Sequence, residues 1–382
     1  MKKLQVFVYV STYASQIHRE KILEDVDSII PGLEKELVKK GTSEISWLEE
    51  FCKPYSEKEA TTYTFTKNIA ESLVQVTAEG SGFPAVIVRP PVLYPPVKEP
   101  EPCFTDDPRQ GIIGLSQSVY VGLSKVFIYD GSQRFVYNTV DVLVNAVLAS
   151  AWDVASKKTN GISVFNVCKM GPTFDEVISH GVVATKSAPS MYTLRPVRKF
   201  KCVNDTVGAR IKRFFCHWLF AQMMDIIIRL SGHKPMLGRA VAKLHRFQKL
   251  GSKVLFGTGS EFECRNLETL SSNMPDEEKE IFFLDSEPLD QEYYNKGALS
   301  MRKYIMKEDE DTIPAAKRRL KRLVCYSIYA SVSHISLSFF LPLSDPFESR
   351  MEYFCNGCFF LVLILLIGVL LVLGYVILLR LN

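Results

Sequence analysis

Tyr63 and Lys67 stand four residues apart in Thr61-Thr-Tyr-Thr-Phe-Thr-Lys-Asn-Ile-Ala-Glu71, a spacing that puts two side chains on one helical face. An ammonium beside a phenol favours the phenolate and so makes the phenol a better proton donor to a carbonyl oxygen near neutral pH. A hydroxyl from Ser11 or Thr12 can hold the same carbonyl. With sixteen tyrosines in the chain, roughly one Tyr-x-x-x-Lys arises by chance, so the spacing means nothing alone. Its context gives it weight.

Residues Leu4 to Val10 (LQVFVYV) read as a buried strand that ends in Ser11-Thr12-Tyr13. The stretch from Thr12 to Thr62 is charged and helix-prone. Apolar residues at 65, 69, 73 and 76 then fit one helical face, until Gly80, Gly82 and Pro84 break it. Ala85 to Val88 reads as a second buried strand, ending in Arg89-Pro90-Pro91. Strand, helix, strand is a right-handed crossover of a parallel α/β sheet, and such sheets bind ligands beyond the carboxyl ends of their strands. Thr12 and Arg89-Pro90 are both expected at such ends.

The 382 residues make two to three modules. Aromatic residues at 11% exclude disorder, and a net charge of +4 over this length is too weak to imply nucleic acid. Nine scattered cysteines are a poor disulfide framework and suggest a reducing compartment. The Cys355-x-x-Cys358 pair lacks further ligands nearby, and His217, His233 and His245 lack supporting ligand spacing, so no metal site is expected. No secretory signal follows Met1.

Basic residues crowd Arg195 to Arg213, against the single acid Asp205, as a surface for phosphates or an anionic bilayer, or as a solvated linker. The apolar stretch from Phe214 to Leu230, interrupted by Asp225, is either core or an interfacial helix. After the acidic Glu308 to Asp311 and the basic Lys317 to Arg322 come two uncharged runs, 323–343 and 359–379. The second would reach about 31 Å as a helix, enough to cross a hydrocarbon core. The first is a weaker span.

The order VSTYAS, YTFTKNIAE, VIVRPP and VKEPEPCFTDD resembles the alcohol-forming fatty acyl-CoA reductases of the extended short-chain dehydrogenase/reductase superfamily. Similar family segments follow: Tyr137 to Trp152, corresponding to a helix, and Ile162 to Val167, corresponding to a late strand. Further likeness lies in Met224 to Pro235, Glu280 to Phe283, Tyr293-Tyr294 and Arg302 to Tyr304.

The resemblance implies an α/β fold: a partial Rossmann-like, doubly wound parallel sheet over 1–190, a mainly α-helical C-terminal domain over 191–312, and a basic cluster with membrane tail over 313–382. It implies Tyr63 as general acid, Lys67 as its electrostatic partner and a ribose ligand, and Thr12 or Ser11 as the hydroxyl orienting the acyl oxygen. Arg89 and Pro90 are placed toward the cofactor, NADPH. The implied reaction reduces a long-chain fatty acyl-CoA through a hemithioacetal and an aldehyde to a primary alcohol, a wax or ether-lipid precursor. Membrane lipid is a further partner, homo-oligomerisation stays open, and the catalytic part is expected in the cytosol on an endoplasmic reticulum or peroxisome membrane.

Where the family usually reads Ser-Thr-Ala-Tyr, this chain reads Ser11-Thr12-Tyr13-Ala14. No Gly-rich turn of the dinucleotide type is found; Gly257-Thr-Gly259 and Gly111-Ile-Ile-Gly114 come too late. The expectation is a truncated form lacking its first few β-α units, unable alone to bind NADPH or reduce acyl-CoA. The alternative is a non-catalytic membrane isoform that binds acyl-CoA or associates with the full-length enzyme.

Overall fold

The computed structural model describes residues 4–30, 32–40, 61–107, 111–157, 161–196, 200–255 and 261–338. In chain order these form β1 (Phe7–Val10), a 3-10 turn (Tyr13–Gln16), β2 (Lys21–Ile22), α1 (Leu33–Lys40) and α2 (Thr62–Ser81). There follow β3 (Ala85–Arg89), β4 (Val92–Tyr94), α3 (Gly111–Tyr120), β5 (Val126–Ile128), β6 (Arg134–Thr139) and α4 (Val140–Lys157). Next are β7 (Ile162–Asn166), β8 (Lys169–Thr173), α5 (Phe174–Ser187), β9 (Lys201–Val203), α6 (Val207–Arg213) and α7 (Phe220–Leu230), the last two joined by a π turn (Phe214–Leu219). The remainder is α8 (Leu237–Leu255), β10 (Glu261–Phe262), α9 (Arg265–Asn273), α10 (Asp276–Ile281), α11 (Gln291–Ser300), a second π turn (Met301–Met306), a 3-10 turn (Glu310–Thr312) and α12 (Ile313–Ser338).

The parallel sheet expected from the sequence has the order β1-β3-β7, with Phe7 opposite Ala85 and Arg89 opposite Asn166. β3 lies in the middle and is buried along its whole length, which explains its unbroken apolar run. α2 is bounded by its own chemistry. Thr61 accepts from Thr64 N at 3.2 Å at the start, and Gly82, at φ +69°, donates its N–H to Ala78 O at 2.8 Å at the end. Val142, Ala146 and Ala149 of α4 pack on Val86, Val88 and Phe165 of the sheet, with Leu267, Leu270 and Met274 completing that core.

One expectation changes. Tyr137 to Trp152 is not all helix: Arg134–Thr139 is a strand, parallel to β4 and antiparallel to β8, and the helix begins only at Val140. Aromatic and β-branched residues at 135–137 suit a pleated surface buried between two strands. The expected boundary at 190/191 falls inside Met1–Leu320, which packs as one compact unit. Strand pairs cross that boundary twice, β5 with β9 and β2 with β10.

The second unit runs from Lys321 to Asn382 and is described only as the C-terminal part of α12. Among the described residues no helix is long and apolar enough to cross a membrane. The 323–343 run overlaps α12 in part. The 359–379 run lies outside the described residues, as do Cys355, Cys358, Gly257 and Gly259.

Candidate active site

The first two turns of α2 face the carboxyl end of β1. Lys67 Nζ donates to Val10 O at 3.0 Å and sits 5.2 Å above the centre of the Tyr9 ring. Tyr63, one turn earlier, is half exposed. The Tyr9 phenol is pushed up by burial first, then by the Glu71 carboxylate and by Tyr63. Tyr63 and Lys67 are therefore brought to one strand end, as the spacing predicts.

Ser11 and Thr12 are both buried but their hydroxyls are used differently. Thr12 Oγ1 caps the 3-10 turn, accepting from Ala14 N at 3.3 Å, and donates to Pro90 O at 3.4 Å. Ser11 is held through its main chain, by N–H to Val88 O at 2.8 Å. Its Oγ neighbours the Tyr9 phenol, which it tends to acidify, yet makes no hydrogen bond of ordinary geometry among the described residues. A buried hydroxyl without a partner is a donor in waiting. The tyrosine at 13 instead of 14 changes little here, since Tyr13 is buried in the core with Ile22, Val136 and Cys168.

Arg89 and Pro90 stand at the carboxyl end of β3 as the sequence reading puts them, but the Arg89 side chain does not turn outward there. The Arg89 guanidinium is fully buried and turned back beneath the strand, its Nη2 2.6 Å from Glu71 Oε2 and its Nε 3.0 Å from Oε1. Leu23 O and Asp25 O accept from Nη1 and Nη2 at 2.8 and 2.6 Å. With these bonds made, the guanidinium serves the interior of the fold. The Pro90 carbonyl likewise receives Tyr13 N at 3.0 Å.

Glu71 is the residue that spacing arguments missed. Besides Arg89 it accepts from Ser15 Oγ at 2.7 Å and Gln16 Nε2 at 3.0 Å, all inside the fold. Asn68, one turn before, donates to Ser15 O and Asp27 O and accepts from Ile29 N. Together they pin the segment after β1 to α2, which fixes Ser11 against the strand end. The available signal was Glu71 itself, a carboxylate two turns after Tyr63 among apolar positions.

His217 and His245, weighed as metal ligands in the sequence, form a hydrogen-bonded pair with Nδ1 of the first 3.0 Å from Nε2 of the second. His217 Nε2 accepts from Lys125 N and Val126 N at 3.0 and 3.3 Å. An acceptor Nε2 requires the proton on Nδ1, so His217 donates to His245.

A separate apolar pocket of about 140 Å³ opens between α3, α5 and α11, lined by Ile113, Val119, Val177, Ile178, Ala184 and Ala298 among others. Tyr94, Thr105 and Tyr294 also line it, and their buried hydroxyls have no hydrogen-bond partner among the described residues. The volume is about that of the engineered cavities that accept benzene.

Comparison with known proteins follows the same two regions. An NAD-binding family described as male sterility protein matches residues 1–147, and a second family of the same description matches 216–308. Fatty acyl-CoA reductase 1 of Xenopus laevis is 28% identical over 338 residues, covering 85% of this chain and 62% of the relative. Fatty acyl-CoA reductase wat of Drosophila melanogaster is 29% identical over 268 residues, covering 69% of this chain and 50% of the relative. The chain thus spans between half and about three-fifths of the length of these relatives. A solved terminal reductase domain from the myxalamid biosynthetic pathway aligns with a TM-score of 0.43 at 12% identity, over 78% of this chain and 58% of that one.

Proposed function

Because the chain belongs to the fatty acyl-CoA reductases of the extended short-chain dehydrogenase/reductase superfamily, we propose that it takes part in the NADPH-dependent reduction of long-chain fatty acyl-CoA to a primary alcohol. The observation that carries this reading is the locked strand end. Lys67 is tied to Val10 O, Tyr63 stands one turn before it, and the buried Ser11 hydroxyl beside them has no partner among the described residues.

The roles follow from that geometry. Tyr63 gives its phenolic proton to the acyl oxygen as negative charge develops there, and the Lys67 ammonium is held one turn on at the same strand end. Ser11, rather than Thr12, holds the same oxygen, because the Thr12 hydroxyl is already committed to the 3-10 turn and to Pro90 O. A bound nicotinamide supplies hydride. Of the residues expected to hold it, Lys67 fits, with an exposed ammonium at the carboxyl end of a parallel strand where ribose hydroxyls can reach it. Arg89 does not fit, being consumed by Glu71. The apolar pocket between α3, α5 and α11 takes the far end of the acyl chain, its volume admitting only a few methylenes. The uncharged 359–379 run supports anchoring on an endoplasmic reticulum or peroxisome membrane, with the catalytic part in the cytosol.

The test is formation of labelled alcohol from a long-chain acyl-CoA with NADPH, in membranes carrying this sequence joined to a Gly-rich β-α dinucleotide-binding unit. Tyr63→Phe is expected to lower turnover by roughly 10²–10⁴-fold, the usual contribution of a positioned proton donor. Alcohol formation at the wild-type rate by Tyr63→Phe overturns the assignment.

A further inference from the structure

α6, the π turn and α7 make one helical run from Val207 to Leu230, and its two long faces are unlike. Ala209, His217 and Ala221 face inward and are buried, the last against Leu123 and Val241. On the outer side Val207, Ile211, Phe214, Trp218, Ile226 and Leu230 are exposed, from 44% at Trp218 to 71% at Val207, and Ile227 is exposed at their flank. Single exposed apolar residues are ordinary, but six in a row along one helix are not.

Their spacing makes them a stripe. Steps of four, three and four residues lead from Val207 to Trp218, the period of one α-helical face. From Trp218 the next two, Ile226 and Leu230, are eight and twelve residues on, one more than the face requires. The π turn between Phe214 and Leu219 absorbs that extra residue, since each of its bonds spans five residues in place of four. An uninterrupted α-helix would swing Ile226 and Leu230 off the stripe; this one keeps them on it.

Charge surrounds the stripe. Between Val207 and Leu255 there are ten Lys or Arg and one acid, a net +9 in a chain whose total is +4, so the rest of the molecule is net negative. The one acid is taken up within the fold, because Asp225 caps α8, accepting from Met236 N and Leu237 N at 2.9 Å and Gly238 N at 2.7 Å. Arg229, Lys234, Arg239 and Lys243 are exposed, Arg229 next to Leu230 in the chain and Lys234 four residues after it.

We propose that this run is an interfacial helix that lies on an anionic lipid bilayer, with the six-residue stripe entering the acyl boundary and the basic side chains meeting lipid phosphates. The pairing of an apolar stripe with a strongly basic rim is what selects this occupant. A second copy of the chain would bring another +9 patch against the first, and an uncharged apolar partner would leave the basic rim uncompensated. The surface is independent of the reductase reading, since none of its residues belongs to the Tyr63 site.

Trp218 lies in the stripe and reports on it directly. The full chain and its Trp218→Phe variant are mixed with vesicles of phosphatidylcholine containing about 30% phosphatidylserine, with and without brominated acyl chains, and the difference in emission isolates Trp218. A tail inserted elsewhere in the chain does not affect this readout, because quenching requires Trp218 itself to reach the acyl region. The expected result is a blue shift and bromolipid quenching of Trp218, both lost in pure phosphatidylcholine and at high salt. Arg229→Glu with Lys234→Glu is expected to weaken the lipid dependence by at least roughly fivefold for each residue changed.

Absence of quenching in the anionic vesicles overturns the proposal. Equal quenching in pure phosphatidylcholine also overturns it, by removing the role of charge. A blue shift that rises with protein concentration without lipid overturns it in favour of a second copy. A blue-shifted Trp218 at all concentrations without lipid, indifferent to vesicles, overturns it in favour of a segment of the same chain.

Discussion

Replacing His217 by glutamine should make the protein less sensitive to acid, and the size of the effect can be worked from the structure. His217 is fully buried, and its Nε2 receives two main-chain N–H groups while its Nδ1 proton is given to His245. A second proton on His217 would have to point at Lys125 N and Val126 N. Burial, then His245, Arg195 and Arg213, push its pKa down to about 3. In the unfolded chain it returns to roughly 6.5. The folded state therefore binds fewer protons, so the stabilisation is fully present above about pH 6.5 and is lost progressively as the pH falls toward 3. Between about pH 7 and pH 5 the loss from this residue alone is about 2 kcal/mol. His245, pushed to about 4 by burial and Arg213, adds to it in the same direction. A glutamine side chain there could accept from the same N–H groups and donate to His245 without titrating. Urea unfolding followed by fluorescence at about pH 7 and pH 5 gives the comparison. Wild type should lose about 2 kcal/mol more than His217→Gln over that interval. Equal losses would refute the assignment of the buried neutral pair.

Three further outcomes are open to measurement. Glu71→Gln leaves the buried Arg89 charge without its counter-ion and should lower stability by about 3–5 kcal/mol, read as a drop in urea midpoint; an unchanged midpoint would mean that water reaches the pair. Ser11→Ala should reduce kcat with little change in Tm, whereas Thr12→Ala should cost about 1 kcal/mol of stability through the lost cap; the reverse pattern returns the orienting role to Thr12. Gly122→Ala should destabilise by more than about 1 kcal/mol, because Gly122 has φ +76° and its added Cβ would meet Arg195 O at 2.1 Å. A thermal melt indistinguishable from wild type would count against that backbone geometry.

The parallel sheet and its crossover helix were legible because burial on both faces writes an unbroken apolar run, as in Ala85 to Val88, and because Thr61 and Gly82 mark the ends of α2 by capping. Tyr63 and Lys67 could be placed by helical spacing. The direction of Arg89 could not, since it is decided by Glu71, eighteen positions earlier in another element, and pairwise choices of that kind leave no periodic trace. That the Thr12 hydroxyl is engaged within the fold was hidden for a similar reason: Ser11 and Thr12 are both hydroxyls at a strand end, and only the 3-10 turn tells which one is spent. At Phe135 to Tyr137 a short apolar run fitted helix or strand equally, and pairing with β4 and β8 settled it. The stripe was legible only in part, as an apolar run from Phe214 to Leu230 that could be core or interfacial helix; its extension to Val207 and the choice of face were not, because the π turn breaks the regular period on which such a reading depends.

The Glu71–Arg89 pair also constrains how this sequence can change over time. Both side chains are wholly enclosed, and each satisfies the other. Loss of either alone strands an ion in the interior, while loss of both, with apolar replacements of similar bulk, is tolerated only where Ser15, Gln16, Leu23 and Asp25 find other partners. Two viable sequences are thus separated by an intermediate that neither tolerates, and drift at one position is blocked until the other moves. Among homologues, positions 71 and 89 are expected to switch as a unit or to stay fixed.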